Sequence, residues 1–134
     1  MFAATHPVAV VKTTLWAGRI ISALAILFLA FDSAIKVLNL APAVEATTQL
    51  GYGAGLVVGI GMIELICLSI YTVPRTAVLG AILLTGYLGG AIATQVRAGA
   101  PLFSVLFPLI IGALIWGGLF VRDERLRTLI LSRR

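Results

Sequence analysis

Apolar residues fill four long stretches of this chain, and polar residues collect in the short stretches between them. Read with a window of ~19 residues, the runs extend from about Thr13 to Leu38, Gly51 to Val73, Thr76 to Val96 and Leu102 to Val121. Each is close to the ~20 residues that an α-helix needs to cross a hydrocarbon core. None carries the broad polar face of a helix in a soluble bundle. The pattern therefore predicts four transmembrane helices. Their connections, "NLAPAVEATTQL", "PR" and "RAGAP", are short, so neighbouring helices should run antiparallel. The first connection has room for a short interfacial turn. The expected architecture is an all-α membrane protein, a four-helix antiparallel bundle formed by one transmembrane domain over residues 1–134.

Composition supports the same solvent. Hydrophobic residues make up 60% of the chain and charged residues only 11%. A small globule has a large surface, and there are too few polar residues here to cover it in water. The Lys12 region precedes apolar sequence as in a signal peptide, but the run that follows reaches Leu40, beyond the ~7–15 residues of a signal core. It is expected to be a retained helix.

The net charge of +5 is distributed by position. Four spans place both termini on one side, together with Lys12, Arg19, Arg75, Arg122, Arg125, Arg127, Arg133 and Arg134. Only Lys36 and Arg97 fall opposite. The positive-inside rule makes the terminus side cytoplasmic, and Trp16, Tyr71 and Trp116 fall near that face, with Tyr52 near the other. Basic residues at span ends suit anionic lipid headgroups, and they lack the interleaved aromatics of a nucleic-acid surface. The tail after Arg122 alternates charge with Leu126, Leu129, Ile130 and Leu131. It reads either as a short helix on the inner leaflet or as a topology anchor.

Charges inside the spans carry the candidate chemistry, because each costs free energy in hydrocarbon. Asp32 and Lys36, four residues apart, can pair on one helix face. Lys36 sits near the outer end of its span, where it can snorkel, and Arg97 ends the third span on the same side. Glu64, in "GIGMIELICL", lies near mid-depth of the second span. Arg19 is the cation expected to balance it. The Arg19–Glu64 pair reads either as a helix-register device or as part of a proton-accepting or ligand-orienting site. Gly86 and Gly90 form a small-x-x-x-small pair, read first as a helix-packing face. Pro108 is expected to kink the fourth span.

Other chemistries are set aside. The chain has no G-x-S-x-G elbow, no H-E-x-x-H and no P-loop. Its single histidine, His6, cannot supply bis-histidine haem ligation or a histidine-rich metal site. Cys67 is alone, so there is no C-x-x-C redox pair.

The blocks "FDSAIK", "LGYGAGLVVGIGMIEL", "PRTAVLGAILLTGYLGGAIAT" and "LFPLIIGALIWGGLFVRDERLR" resemble the DoxX-like membrane proteins. The resemblance runs from about Arg19 to Arg127, and the family pattern corresponds here to Arg19, Asp32, Lys36, Glu64, Arg75, Gly89, Gly90, Arg97 and Pro108. Gln95 stands where family members often carry a histidine. The resemblance implies a four-helix bundle in a bacterial inner membrane. The family's namesake is a membrane subunit of a thiosulfate–quinone oxidoreductase, which implies a quinone as the lipophilic ligand and a redox enzyme as partner.

Three functions are then expected to compete. In the first, a lipophilic molecule sits between the helices, with Arg19 and Glu64 lining the inner part and Asp32, Lys36, Gln95 and Arg97 forming an outer polar mouth. In the second, Asp32 and Glu64 are the catalytic pair of an isomerase-like enzyme that moves protons on an apolar substrate. In the third, the chain is a non-catalytic assembly factor or subunit, joined to a partner protein or to further copies of itself.

Overall fold

A computed structural model describes the backbone of residues 6–131. Helix α1 runs His6–Val37, α2 Ala41–Gln49, α3 Val57–Thr72, α4 Ala77–Arg97, α5 Leu102–Arg122 and α6 Glu124–Leu131. Single 3₁₀ turns, Ala54–Leu56 and Pro74–Thr76, lead into α3 and α4. Four stretches are long and apolar enough to cross a membrane: Lys12–Val37, Ala54–Thr72, Pro74–Arg97 and Leu102–Arg122.

Local chemistry sets the ends of these helices. At the end of α1, Asn39 adopts a left-handed φ of 56°. Its N–H bonds the Lys36 carbonyl, and the Leu40 N–H bonds that of Ile35. This Schellman closure satisfies carbonyls that the helix end leaves free. Gly99, at φ 69°, closes α4 in the same way, through bonds to Val96 and from Ala100 to Gln95. Pro101 follows at once and cannot continue the helix. Asp123 caps α6, its Oδ1 accepting the Arg125 and Leu126 N–H groups at 2.9 and 3.2 Å.

The spanning helices form a square. Helix α1 packs against α3 and α5, and α4 packs against the same two, while the backbones of the diagonal pairs stay apart and only long side chains cross between them. On the terminus side the square is solid. Ala25, Leu29, Ala81, Leu84, Ile115 and Leu119 fill it. Glycines bring the backbones together there. A side chain at Gly80 would collide with the Tyr71 backbone, and one at Gly118 with Ser22. A Cβ at Gly18 would lie 2.9 Å from that of Arg122.

Tyr71 is fully buried in this solid half, not on an interfacial rim as the aromatic pattern predicts. Its hydroxyl donates to the Ile115 carbonyl at 2.9 Å. That uses its proton, so the Ser22 hydroxyl, 3.0 Å away, donates to Tyr71. Arg122 Nε in turn donates to Ser22 Oγ at 3.2 Å. The relay satisfies three buried polar groups across α1, α3 and α5. Trp16 remains exposed, and the Arg19 guanidinium stacks 5.8 Å from its ring centroid.

Candidate functional site

On the side away from the termini the square is hollow. A cavity of about 590 Å³ opens among α1, α3, α4 and α5, with α2 seated over it. That size lies within the ~300–1,000 Å³ of small-molecule sites. The twelve-residue connection predicted as a short turn is thus largely a helix. Its residues Ala46, Thr47 and Leu50 line the cavity from above.

One side of the cavity carries a four-residue polar cluster. Lys36 Nζ bonds Asp32 Oδ2, Glu64 Oε2 at 3.0 Å and the Tyr87 hydroxyl at 2.9 Å. Tyr87 donates its own proton to the same Glu64 oxygen at 2.9 Å. Glu64 is fully buried, and its other oxygen, Oε1, has no hydrogen-bond partner among the described residues. An ammonium has three protons, and all three are committed here. Lys36 is therefore a structural hub that ties α1 to α3 and α4. It does not snorkel outward as its position near a span end predicts. Its stem can turn inward because Gly61 offers no side chain: a Cβ there would fall 2.5 Å from that of Lys36.

This arrangement replaces the Arg19–Glu64 pair expected from sequence. Arg19 lies seventeen residues, roughly 25 Å along α1, below Lys36. Glu64 stands level with the outer end of α1, beyond the reach of any arginine at position 19. The depth follows from the offset between the helices, because Gly61, well inside the second span, packs against Lys36 and Val37 at the very end of α1. Gly51 is left-handed at φ 95° and Gly53 is extended, so the span starts at Ala54. Arg19 and Arg97 are both exposed and neither lines the cavity. Asp32, Lys36 and Gln95 do line it. Glu64 lies directly behind Lys36 and Tyr87. Of the candidate catalytic pair, Asp32 alone reaches the cavity, and its Oδ1 is not used by Lys36.

The walls are apolar and partly aromatic. Phe28 and Phe107 meet edge-to-face at a centroid distance of 4.8 Å, and Phe103 lies 5.7 Å from Phe107. Pro108 sits in the α5 wall within an unbroken helix. Lacking an N–H, it leaves the Ser104 carbonyl without its usual helical donor at the cavity edge. Gly86 and Gly90 also line the cavity, and a Cβ at either would meet no atom within 4 Å. Within the chain this pair does not pack a helix; it clears space.

Tyr87 was not singled out by sequence reasoning. A lone tyrosine inside an apolar span is the available signal, because its hydroxyl must find a partner there. The aromatic wall gives no such signal, since phenylalanine is ordinary in a lipid-facing helix. Among the described residues no group of three or more His, Cys, Asp or Glu side chains is placed to hold a metal ion.

A sequence model of the DoxX-like family matches residues 20–118. The chain belongs to the DoxX-like family. Together with four apolar helices of spanning length, this makes it a small multi-pass membrane protein. Comparison with curated proteins and with solved structures returns no match. The matched segment of this DoxX-like chain contains the whole polar cluster and nearly all of the cavity wall.

Proposed function

We propose that this DoxX-like chain holds a lipophilic molecule with a planar, hydrogen-bonding head, of the quinone or quinol class, in the hollow half of its bundle. The carrying observation is the cavity itself: apolar and aromatic over most of its wall, polar on the side of Asp32 and Lys36, and covered by α2. A ring head fits between Phe28 and Phe107 on one side and Gly86 and Gly90 on the other. With Lys36 fully committed, the side-chain amide of Gln95 is the donor for a head-group carbonyl. Asp32 Oδ1 is the acceptor for a head-group hydroxyl. The polar cluster sets the shape and charge of that side of the cavity without surrendering its own bonds.

In this reading the chain is the membrane element of a redox system in a bacterial inner membrane, with both termini in the cytoplasm. The distribution of basic residues supports that orientation. The isomerase-like alternative draws on two carboxylates sharing one ammonium. It is the weaker fit, because Glu64 is shut away behind Lys36 and Tyr87.

Isothermal titration of the purified chain in detergent, with a short-chain benzoquinone and with its quinol, tests the proposal. The expected result is one saturable site per chain. Ala91→Phe, which fills the cavity, should abolish it, and Gln95→Leu should weaken the quinone about tenfold, the ~1.4 kcal/mol of one hydrogen bond. No saturable binding of either probe to the wild-type chain would refute it.

A further inference from the structure

The cavity has a way out, and it leads into the bilayer. Above, α2 covers the mouth, and Thr47 is buried beneath it. Side chains meet across three of the four seams between spanning helices beside the cavity, although Phe103, on the α5 wall, is 70% exposed. Phe28 and Phe107 close α1 against α5. Lys36 lies on Gly61 between α1 and α3. Leu88 approaches within 3.7 Å of a Cβ position at Gly112 between α4 and α5.

The α3–α4 seam differs. It is jammed at its lower end, where Gly80 meets Tyr71. At its upper end the Tyr52 and Thr94 hydroxyls bridge it at 3.0 Å. Between these points the Tyr87 hydroxyl reaches Glu64 across the seam, and beside Tyr87 the edge of α4 carries glycine. Gly86, Gly90 and Thr94 follow one another at four-residue spacing, so all lie on one edge of α4. Both glycines are exposed while they line the cavity. Ile63, facing them from α3, also lines the cavity and is still 57% exposed. An opening bordered by glycine and isoleucine, flanked by apolar helix surface, faces acyl chains rather than water.

We infer that the molecule held in the cavity is a tailed lipid that enters sideways from the bilayer, its hydrocarbon tail lying in the α3–α4 seam against Gly86, Gly90 and Ile63. This inference rests on the proposed function and specifies the class of ligand within it. The head passes between the helices and stops at Tyr87 and Asp32. The tail remains in the opening, where the absence of two side chains leaves room for it. A head without a tail still fits the cavity and loses the contacts of the seam.

Photocrosslinking locates the tail directly. The full chain in bilayer nanodiscs is incubated with a benzoquinone carrying a decyl tail that ends in a diazirine, irradiated, digested and mapped by mass spectrometry. The expected adducts fall on α3 around Ile60 and Ile63 and on α4 between Leu83 and Gly90. Adducts confined to α1, α2 or α5 would overturn the inference. A second measurement compares this probe, as a fraction of bilayer lipid, with a tail-less quinone of the same head. In the wild-type chain the tail should improve binding at least tenfold. In Ile63→Ala, which removes the tail's contact on α3 and leaves the head-group residues in place, that advantage should fall while the tail-less quinone binds as before. A retained advantage would overturn the inference and leave the head-group site standing. Binding of neither probe to the wild-type chain would remove the proposed function itself.

Discussion

The Lys36 ammonium lies 3.0 Å from Glu64 Oε2, joining α1 to α3 inside an apolar bundle and holding a fully buried carboxylate behind the wall of a cavity. Two carboxylates share this one cation. Removing one partner of a buried ion pair is far costlier than the pair's net worth, because it strands the other charge. Lys36→Met should therefore destabilise the fold by about 3–5 kcal/mol. Glu64→Gln should cost much less, since the amide oxygen still accepts from Lys36 and Tyr87. Thermal unfolding in detergent, followed by tryptophan fluorescence, compares the two. Equal losses would mean that the cluster is not organised around the cation.

The glycines divide into two classes with opposite expected responses. Gly80 and Gly118 are pressed against neighbouring backbone, so alanine at either should cost about 1–3 kcal/mol through overpacking. Gly86 and Gly90 face open space, so alanine there should change stability by no more than about 0.5 kcal/mol. The same unfolding assay on four single variants reads the difference.

Tyr71 is the middle of the Arg122–Ser22–Tyr71–Ile115 relay. Tyr71→Phe leaves the Ser22 proton without its acceptor and removes the second bond to the Ile115 carbonyl, at a cost of about 1–3 kcal/mol. Adding Ser22→Ala to that variant should cost less than Ser22→Ala alone, because members of one network are not additive. Strict additivity in a double-mutant cycle would argue against the relay.

The charge distribution predicts a topology that labelling can check. In a Cys67→Ser background, a cysteine at Thr128 should react with a membrane-impermeant maleimide only after the cells are opened. A cysteine at Ala98 should react in intact cells. The reverse pattern would invert the bundle.

Much of the frame is legible from hydropathy alone. The observed spans end at or within a residue of the predicted limits at Leu38, Val73, Val96 and Val121, because Pro, Gly and Arg punctuate the apolar runs. The Asp32–Lys36 pair is equally legible, since four-residue spacing on a helix is local geometry. What sits opposite those residues is not. The partner of Glu64 depends on the vertical offset between α1 and α3. That offset is fixed by the close approach of Gly61 to Lys36, which hydropathy does not record. It moves the partner of Glu64 roughly 25 Å along α1, from Arg19 to Lys36. Gly86 and Gly90 illustrate the same limit. The small-x-x-x-small spacing is identical whether a helix or a cavity faces it, and Gly80 and Gly118, which do pack tightly, stand in no such pair with one another.

Native mass spectrometry of the full chain, released intact from bilayer nanodiscs, asks most directly whether the hollow half of the bundle is a binding site. The wild-type chain should carry a single lipophilic adduct whose mass is recovered on unfolding, and Ala91→Phe should carry none while keeping the wild-type unfolding temperature. A wild-type chain that emerges bare, or an adduct that survives the filled cavity unchanged, would show that nothing is held there.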